Sequence, residues 1–287
     1  LMKISYIIFL ILRFLDKFVY FIFKRSFLIH FSDYISKDFN KKIEINNKDT
    51  FFFTPNYTVK WRVETIFSKE PETLEWIDSF KKVDNKKIIF WDIGANIGLY
   101  SIYAAQKIDN IKIFSFEPST SNLRVLSRNI FLNNLSEKIS ISQFPLTSIK
   151  NIFLDINESE FIEGWSMNSF GTKKGYDGEE MKIKQKYKIF GTSIDNLIEN
   201  EVLELPNYVK IDVDGIEHLI LEGASKILSN KTLSSLSIEL NEDYEQQYNK
   251  VIKILKSFDF ELKQKKHDPI FDNNKKFSKI YNCVFTR

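Results

Sequence analysis

The sequence predicts an α/β fold: a seven-stranded, mostly parallel sheet that finishes on an antiparallel strand at its C-terminal edge. Three observations carry that prediction. Beyond about residue 85, short apolar runs alternate with stretches of helical spacing, which is the rhythm of βαβ units. Two of these runs end on an acid beside a chain-turning residue, Asp92 before Gly94 and Glu117 before Pro118. The last two extended segments, "FDFELKQKK" and "KIYNCVFTR", are joined by a polar loop and read as an antiparallel pair.

The elements follow in order. Residues 1–42 form an apolar helical segment, and "ISYIIFLILRFLDKFVYFIFKRSFLIHF" carries Arg13, Asp16, Lys17, Lys24 and Arg25. These charges interrupt it before the ~20 clean residues that a spanning helix needs. Arg13, Asp16, Lys17 and Lys24 share one helical face and leave a wide apolar one, the pattern of a helix lying in a membrane interface. Peripheral membrane contact through residues 4–28 is therefore expected. Packing on a protein partner reads the same way, which leaves a homodimer open. No small-residue cleavage site follows the run, so no cleavable signal is expected. The single Cys283 excludes an internal disulfide and fits a reducing compartment. The expected location is the cytoplasm, with contact at the inner face of the membrane.

Residues 43–287 read as one domain. Its leading layer, 43–85, contains "KEPETLEWIDSF", a helix opened by Pro71. "KKIIFWDIG" is a buried strand, because an apolar run broken only by Asp92 ends at a glycine. "IGLYSIYAAQKI" is a helix and "IKIFSFEP" the next strand. "STSNLRVLSRNIFLNN" is a helix with Ser119 at its cap. "KISISQF" is the third strand and "NYVKIDVDG" the fourth; "EHLILEGASKIL" is the helix after it and "LSSLSIELN" the fifth strand. Residues 149–190, with "EGWSMNSFGTKKGYDGEE", show no period and read as an irregular insertion over the active site.

A formal charge of +3 is too small to imply a polyanion partner, and no nucleic acid is expected. His30, His218 and His267 are scattered, so no zinc-type ligand spacing exists; oxygen ligands at Asp212, Glu239 and Asn241 would suit magnesium, but no spacing demands a metal. The glycine loop "FWDIGANIGLY" bears on the coenzyme. A nicotinamide fingerprint would need glycine where Asn96 and Leu99 stand, and Asp92 would repel a pyrophosphate. S-adenosylmethionine, with a sulfonium and an ammonium and no phosphate, suits the loop instead. Gly94 and Gly98 permit the turn, Asp92 is expected to reach toward the cation, and Glu117 to accept both ribose hydroxyls.

"DIGANIGLYS", "FEPSTSNLRVLSRNIFLNN", "TSIDNL" and "KIDVDGIEHLILEGA" together resemble the FkbM family of S-adenosylmethionine-dependent methyltransferases, over about residues 50–260. The resemblance implies a class I methyltransferase (Rossmann-like) fold and O-methylation of a sugar or natural product. It also implies coenzyme contacts at Asp92, Gly94, Ala95, Asn96, Gly98, Glu117 and Pro118. Asp214 and Ile216 stand where the family often has Glu and a polar residue. Pro145 to Ser148 replace an "ALSD"-like stretch, so Thr147 or backbone groups are left to meet the adenine.

Methyl transfer to a hydroxyl requires alignment and loss of a proton. Acids beyond the strand ends are the candidate bases: Asp212 first, Glu239 second, then Asp214 and Glu217. Glu217 also suits a helix N-terminus, and His218 reads as structural. Within the insertion, Trp165, Asn168 and Ser169 are the candidates for contacting a small-molecule or glycan acceptor. Two rival functions stand beside this reading. A methyltransferase of nucleic acid or protein is disfavoured for base amines, because "DVDG" replaces an Asp/Asn-Pro-Pro-aromatic run. An inactive membrane-associated binding module would explain the first helix but not the retained glycines and acids.

Overall fold

A computed structural model describes residues 1–287 apart from 82–85, 268, 273 and 275, and of residue 270 the backbone alone. The end of the expected leading layer, 82–85, thus lies outside the described residues. The chain divides into two compact units, 1–41 and 42–287.

The first unit holds α1 (Met2–Phe23) and α2 (Leu28–Asp38), neither of which has a buried residue. Lys24, left-handed at φ 52°, ends α1. Asp16, in mid-helix, accepts from Ser26 Oγ at 2.9 Å, from Phe27 N at 2.7 Å and from Leu28 N at 3.1 Å, so it caps the start of α2. Desolvation pushes its pKa up, but the bonds from Leu28, Ser26 and Phe27 outweigh this and hold it below the usual value. Among the described residues no helix is long and apolar enough to cross a membrane.

A two-stranded ribbon, β1 (Asn40–Ile45) and β2 (Lys48–Phe53), follows and lies mostly in the second unit. Its turn, Asn46-Asn47, has φ 54° and 58°, the left-handed pair that matches strand twist. Next come α3 (Tyr57–Glu64), capped by the Asn56 side chain, α4 (Ile66–Lys69) and α5 (Pro71–Asp78), with Pro71 in its first turn. The alternating part comprises β3 (Ile88–Ile93), α6 (Leu99–Lys107), β4 (Ile111–Phe116), α7 (Thr120–Leu132) and β5 (Ile139–Ser142). After it stand β6 (Ile152–Glu158), β7 (Asn168–Phe170), β8 (Gln185–Gly191) and α8 (Ile194–Glu199). The chain closes with β9 (Tyr208–Ile211), α9 (Glu217–Glu222), α10 (Ser225–Ser229), β10 (Ser235–Asn241), α11 (Glu245–Ser257), β11 (Glu261–Lys266) and β12 (Ile280–Thr286).

The predicted seven-stranded, mostly parallel sheet is present, in the order β11-β12-β10-β9-β3-β4-β5. β12 is antiparallel to both of its neighbours and lies one place in from the edge that β11 forms. All six residues of β3 are buried, because both faces are covered: Phe90 packs into one core and Trp91 into the other. The order reverses between β3 and β9, which opens a crevice at their carboxyl ends.

Three local expectations change. Residues 149–190 contain an ordered antiparallel sheet, β7-β6-β8, rather than wholly irregular chain. Its period is hidden because outward positions carry rings, Phe153 at 64% and Phe190 at 37% exposure. The helix after the fourth strand is two helices, since Asp195 accepts from Ser225 N and Lys226 N and starts α10 afresh. Ser119 occupies the cap position of α7 without a side-chain capping bond, and its N–H donates to Glu117 instead.

Candidate active site

At the crevice, β3 runs into a turn held by its own backbone. Gly94 N and Ala95 N both donate to Phe116 O at 2.9 Å. Gly94 has φ 86°, and a Cβ there would stand 1.8 Å from the Asp212 carbonyl oxygen, so its bareness serves the neighbouring strand end as well as any ligand. Gly98, at φ 84°, opens α6, and a Cβ would meet Leu126 Cδ1 at 2.5 Å. Asn96 takes a left-handed φ of 51°, which asparagine tolerates. Its N–H donates to Glu117 Oε2 at 2.8 Å, while Ser119 N donates to Oε1 at 2.8 Å. Each carboxylate oxygen keeps a further lone pair for a ligand. Burial raises the Glu117 pKa to about 7 despite those two bonds.

A cavity lies over this turn. Gly94, Ala95, Asn96, Glu117 and Pro118 line it from the donor-loop side, and Asp212, Asp214 and Glu239 from the following strands. Trp165, Asn168 and Ser169, expected to meet the acceptor, line the same cavity. The insertion is fastened there at both ends of its tip. The Trp165 carbonyl accepts from Asn96 Nδ2 and Asn122 Nδ2, each at 3.1 Å, and Met167 N donates to Asp214 Oδ2 at 2.7 Å. Asn96 Oδ1, Asn168 Oδ1 and Ser169 Oγ are buried without a hydrogen-bond partner.

Four candidate residues do not line the cavity. Asp92 was expected to reach a bound cation. It is fully buried, accepts from Ser101 Oγ at 2.5 Å and pairs in register with Lys210 of β9. Burial raises its pKa against the pull of Lys210. Gly98 acts through the turn alone. Thr147 is tied down by its N–H to the Thr192 carbonyl at 2.9 Å, and Pro145 and Leu146 form the wall in its place. Glu217 is 2% exposed and accepts from Val213 N, Gly215 N and Gln247 Nε2, so it braces the DVDG turn from beneath. Burial outweighs those bonds and takes its pKa to about 7. His218 is half-buried beside it, and its pKa is lowered by burial and then by Lys250.

The sequence reading missed a buried charge cluster under the cavity floor. Lys210 is 1% exposed and donates to Asp212 at 2.6 Å. Burial pulls its pKa down, but Asp212, Glu70 and Asp92 together hold it above the ordinary value. Glu70 pairs with Lys69 and accepts from Tyr100 Oη at 2.6 Å. Burial acts upward on Glu70, yet Lys69 and Lys210 hold it down at about 2. Glu239 goes the other way: burial, then Asp212 and Glu70, raise its pKa well above the carboxylate range. A signal for Lys210 was available in "NYVKID", since a lysine inside a buried strand requires anions. Glu70 comes from a stretch without a catalytic motif, and Tyr100 closes the glycine loop, where no role was expected of it. Among the described residues no group of three or more His, Cys, Asp or Glu is placed to hold a metal ion.

The chain is similar to known methyltransferases. The family model described as the Methyltransferase FkbM domain matches residues 92–262, more than half of the chain. The hexuronic acid methyltransferase AglP of Haloferax volcanii is 24% identical over 184 residues, covering 64% of this chain and 67% of that protein. Methyltransferase sdnD of Sordaria araneosa is 44% identical over 57 residues, which span 20% of this chain and 22% of that protein. Among solved structures, Aeropyrum pernix fibrillarin in complex with S-adenosyl-L-methionine superposes with a TM-score of 0.44 at 10% identity, covering 86% of this chain and 82% of that one.

Proposed function

The chain belongs to the methyltransferase FkbM domain family and is an S-adenosylmethionine-dependent methyltransferase; on that premise we propose that it methylates an oxygen of a sugar, glycolipid or related hydroxyl-bearing acceptor. The acceptor class is supported by the relative named as a hexuronic acid methyltransferase, and by the absence of the amine-methylating run at "DVDG".

The cavity fits the donor on its own chemistry. Glu117 offers two oxygens with spare lone pairs, and Asn96 Oδ1, Asn168 Oδ1 and Ser169 Oγ are buried polar atoms with no partner. We assign these residues, with Gly94, Ala95 and Pro118, to holding the donor. A bound donor would supply an electrophilic methyl group for the acceptor oxygen, and its sulfur would keep the electron pair of the carbon–sulfur bond. The chain's own task is alignment and proton removal. Asp212 already accepts a bond from Lys210, whereas Glu239 of β10 lines the cavity without that tie. We therefore assign proton acceptance to Glu239 in its ionised form, with Asp212 and Asp214 setting the negative field around a sulfonium. Asp92 and Glu217 then act as supports of the turn, not as contacts.

The single observation that carries this reading is the Glu117 carboxylate, clamped by two backbone N–H groups at the mouth of the glycine turn. Calorimetric titration with S-adenosylmethionine, followed by mass spectrometry of cell glycans incubated with labelled donor, tests it. Saturable binding and a labelled sugar are expected; no donor binding would end the proposal.

Residues 4–28 are assigned in the same proposal to an anionic membrane surface. Asp16 is engaged in capping α2, which leaves Arg13, Lys17, Lys24 and Arg25 as the charges beside an apolar face.

A further inference from the structure

A second cavity adjoins the first, and the two share Arg62, Lys69, Glu70, Ser166, Asp214 and Glu239. Its far wall contains Trp61 of α3, Tyr176 of the insertion, Phe277, and Tyr281 and Asn282 of β12. Of these five, only Tyr176 lies within the family-matched residues 92–262.

Two kinds of surface meet in it. The rings of Tyr176 and Phe277 have centroids 5.9 Å apart, and His267 stacks on Tyr281 at 4.3 Å. The same wall holds two buried polar atoms without a hydrogen-bond partner, the Tyr176 hydroxyl and Asn282 Oδ1. Asn282 is 4% exposed, and its Nδ2 is committed to Glu72 at 2.7 Å, so Oδ1 is held in place as a free acceptor. An alkyl ligand would leave both polar atoms unsatisfied, which is costly in a buried site. A phosphodiester chain would face Glu70, Glu72, Asp214 and Glu239. A ring of carbons bearing hydroxyls matches both features: its C–H face suits the rings of Trp61 and Tyr176, and its hydroxyls suit the polar atoms.

We propose that the second cavity is the acceptor subsite and seats one saccharide ring against its aromatic wall, with the reacting oxygen in the neck shared by Asp214 and Glu239. This rests on the methyl-transfer reading and moves acceptor recognition away from Trp165, Asn168 and Ser169. Trp61 and Tyr176 are then specificity residues: they contact the acceptor and leave the donor cradle untouched.

The test is saturation-transfer NMR on the full chain loaded with S-adenosylhomocysteine, using methyl glucuronide, methyl glucoside and methyl galactoside as probes. Wild type transfers saturation to the ring protons of at least one probe. Trp61→Ala and Tyr176→Phe weaken that probe's binding by about fivefold to tenfold, while calorimetry shows unchanged S-adenosylhomocysteine affinity. Transfer to none of the probes, or equal affinity in both variants, overturns the subsite. Failure of wild type to bind S-adenosylhomocysteine at all overturns the methyl-transfer reading and the subsite that rests on it.

Discussion

Lys210 Nζ stands 2.6 Å from the Asp212 carboxylate, with the lysine 1% and the aspartate 24% exposed. The pair spans the boundary between the core and the cavity, so a cation of the sheet interior sets the charge at the cavity floor. Asp92, its register partner on β3, and Glu70, delivered by the leading layer, complete the balance. Replacing Lys210 with Met leaves three carboxylates without their common counter-ion. The expected loss is about 3–5 kcal/mol of folding stability, measured by urea denaturation. A loss inside the error of the measurement would mean that the anions find other partners.

Glu117→Gln keeps the shape of the side chain but gives one of its two N–H donors, Asn96 or Ser119, an NH2 group to face. Donor affinity should fall by about 1.5–3 kcal/mol, the worth of bonds to a charged group. Calorimetry with S-adenosylmethionine reads this directly, and an unaltered dissociation constant would remove Glu117 from the donor site.

Stability should decline as the pH rises through the weakly acidic range. Burial moves Glu217 from 4.5 to about 7, and Glu117 and Asp214 move to about 7 and about 6. Below the unfolded value both folded and unfolded chains carry the proton. Between 4.5 and about 7 the unfolded chain releases it first, so the folded state binds more protons and loses stability with rising pH; above about 7 the loss is complete. Glu217→Gln should reduce the total loss across this range by about 1–3 kcal/mol. Urea midpoints across that range provide the measurement, and an unchanged slope would contradict the assignment.

The interfacial reading of α1 predicts a charge effect without a fold effect. Arg13→Glu with Lys17→Glu should release the protein from anionic vesicles in flotation assays and leave donor binding intact. Equal retention would reject the membrane assignment.

Much of the sheet was legible because buried parallel strands announce themselves: "IIFW" cannot sit at a surface, and the acids ending β3 and β4 stand at the turns where the chain leaves the sheet. The cavity residues Gly94, Asn96 and Glu117 could be named for the same reason. Orientation was not legible. Asp92 and Glu117 each lie at a strand end, yet only Glu117 lines the cavity, because Ser101 of α6 and Lys210 of β9 claim the other. Thr147 and Glu217 likewise do not line the cavity, since hydrogen bonds across the sequence decide which side of a turn a residue faces. The sheet in 149–190 escaped notice because its alternation mixes lysines with exposed rings, so polarity gave no period.

The 1.8 Å that separates a hypothetical Gly94 Cβ from the Asp212 carbonyl oxygen joins two loops into one piece of machinery. A side chain at position 94 would push the end of β9 away. Change in what the enzyme modifies is thereby channelled to the second cavity, where Trp61 and Tyr176 stand outside the sheet. An engineer wishing to redirect it toward new acceptors would diversify those positions and leave the interlocked backbone alone.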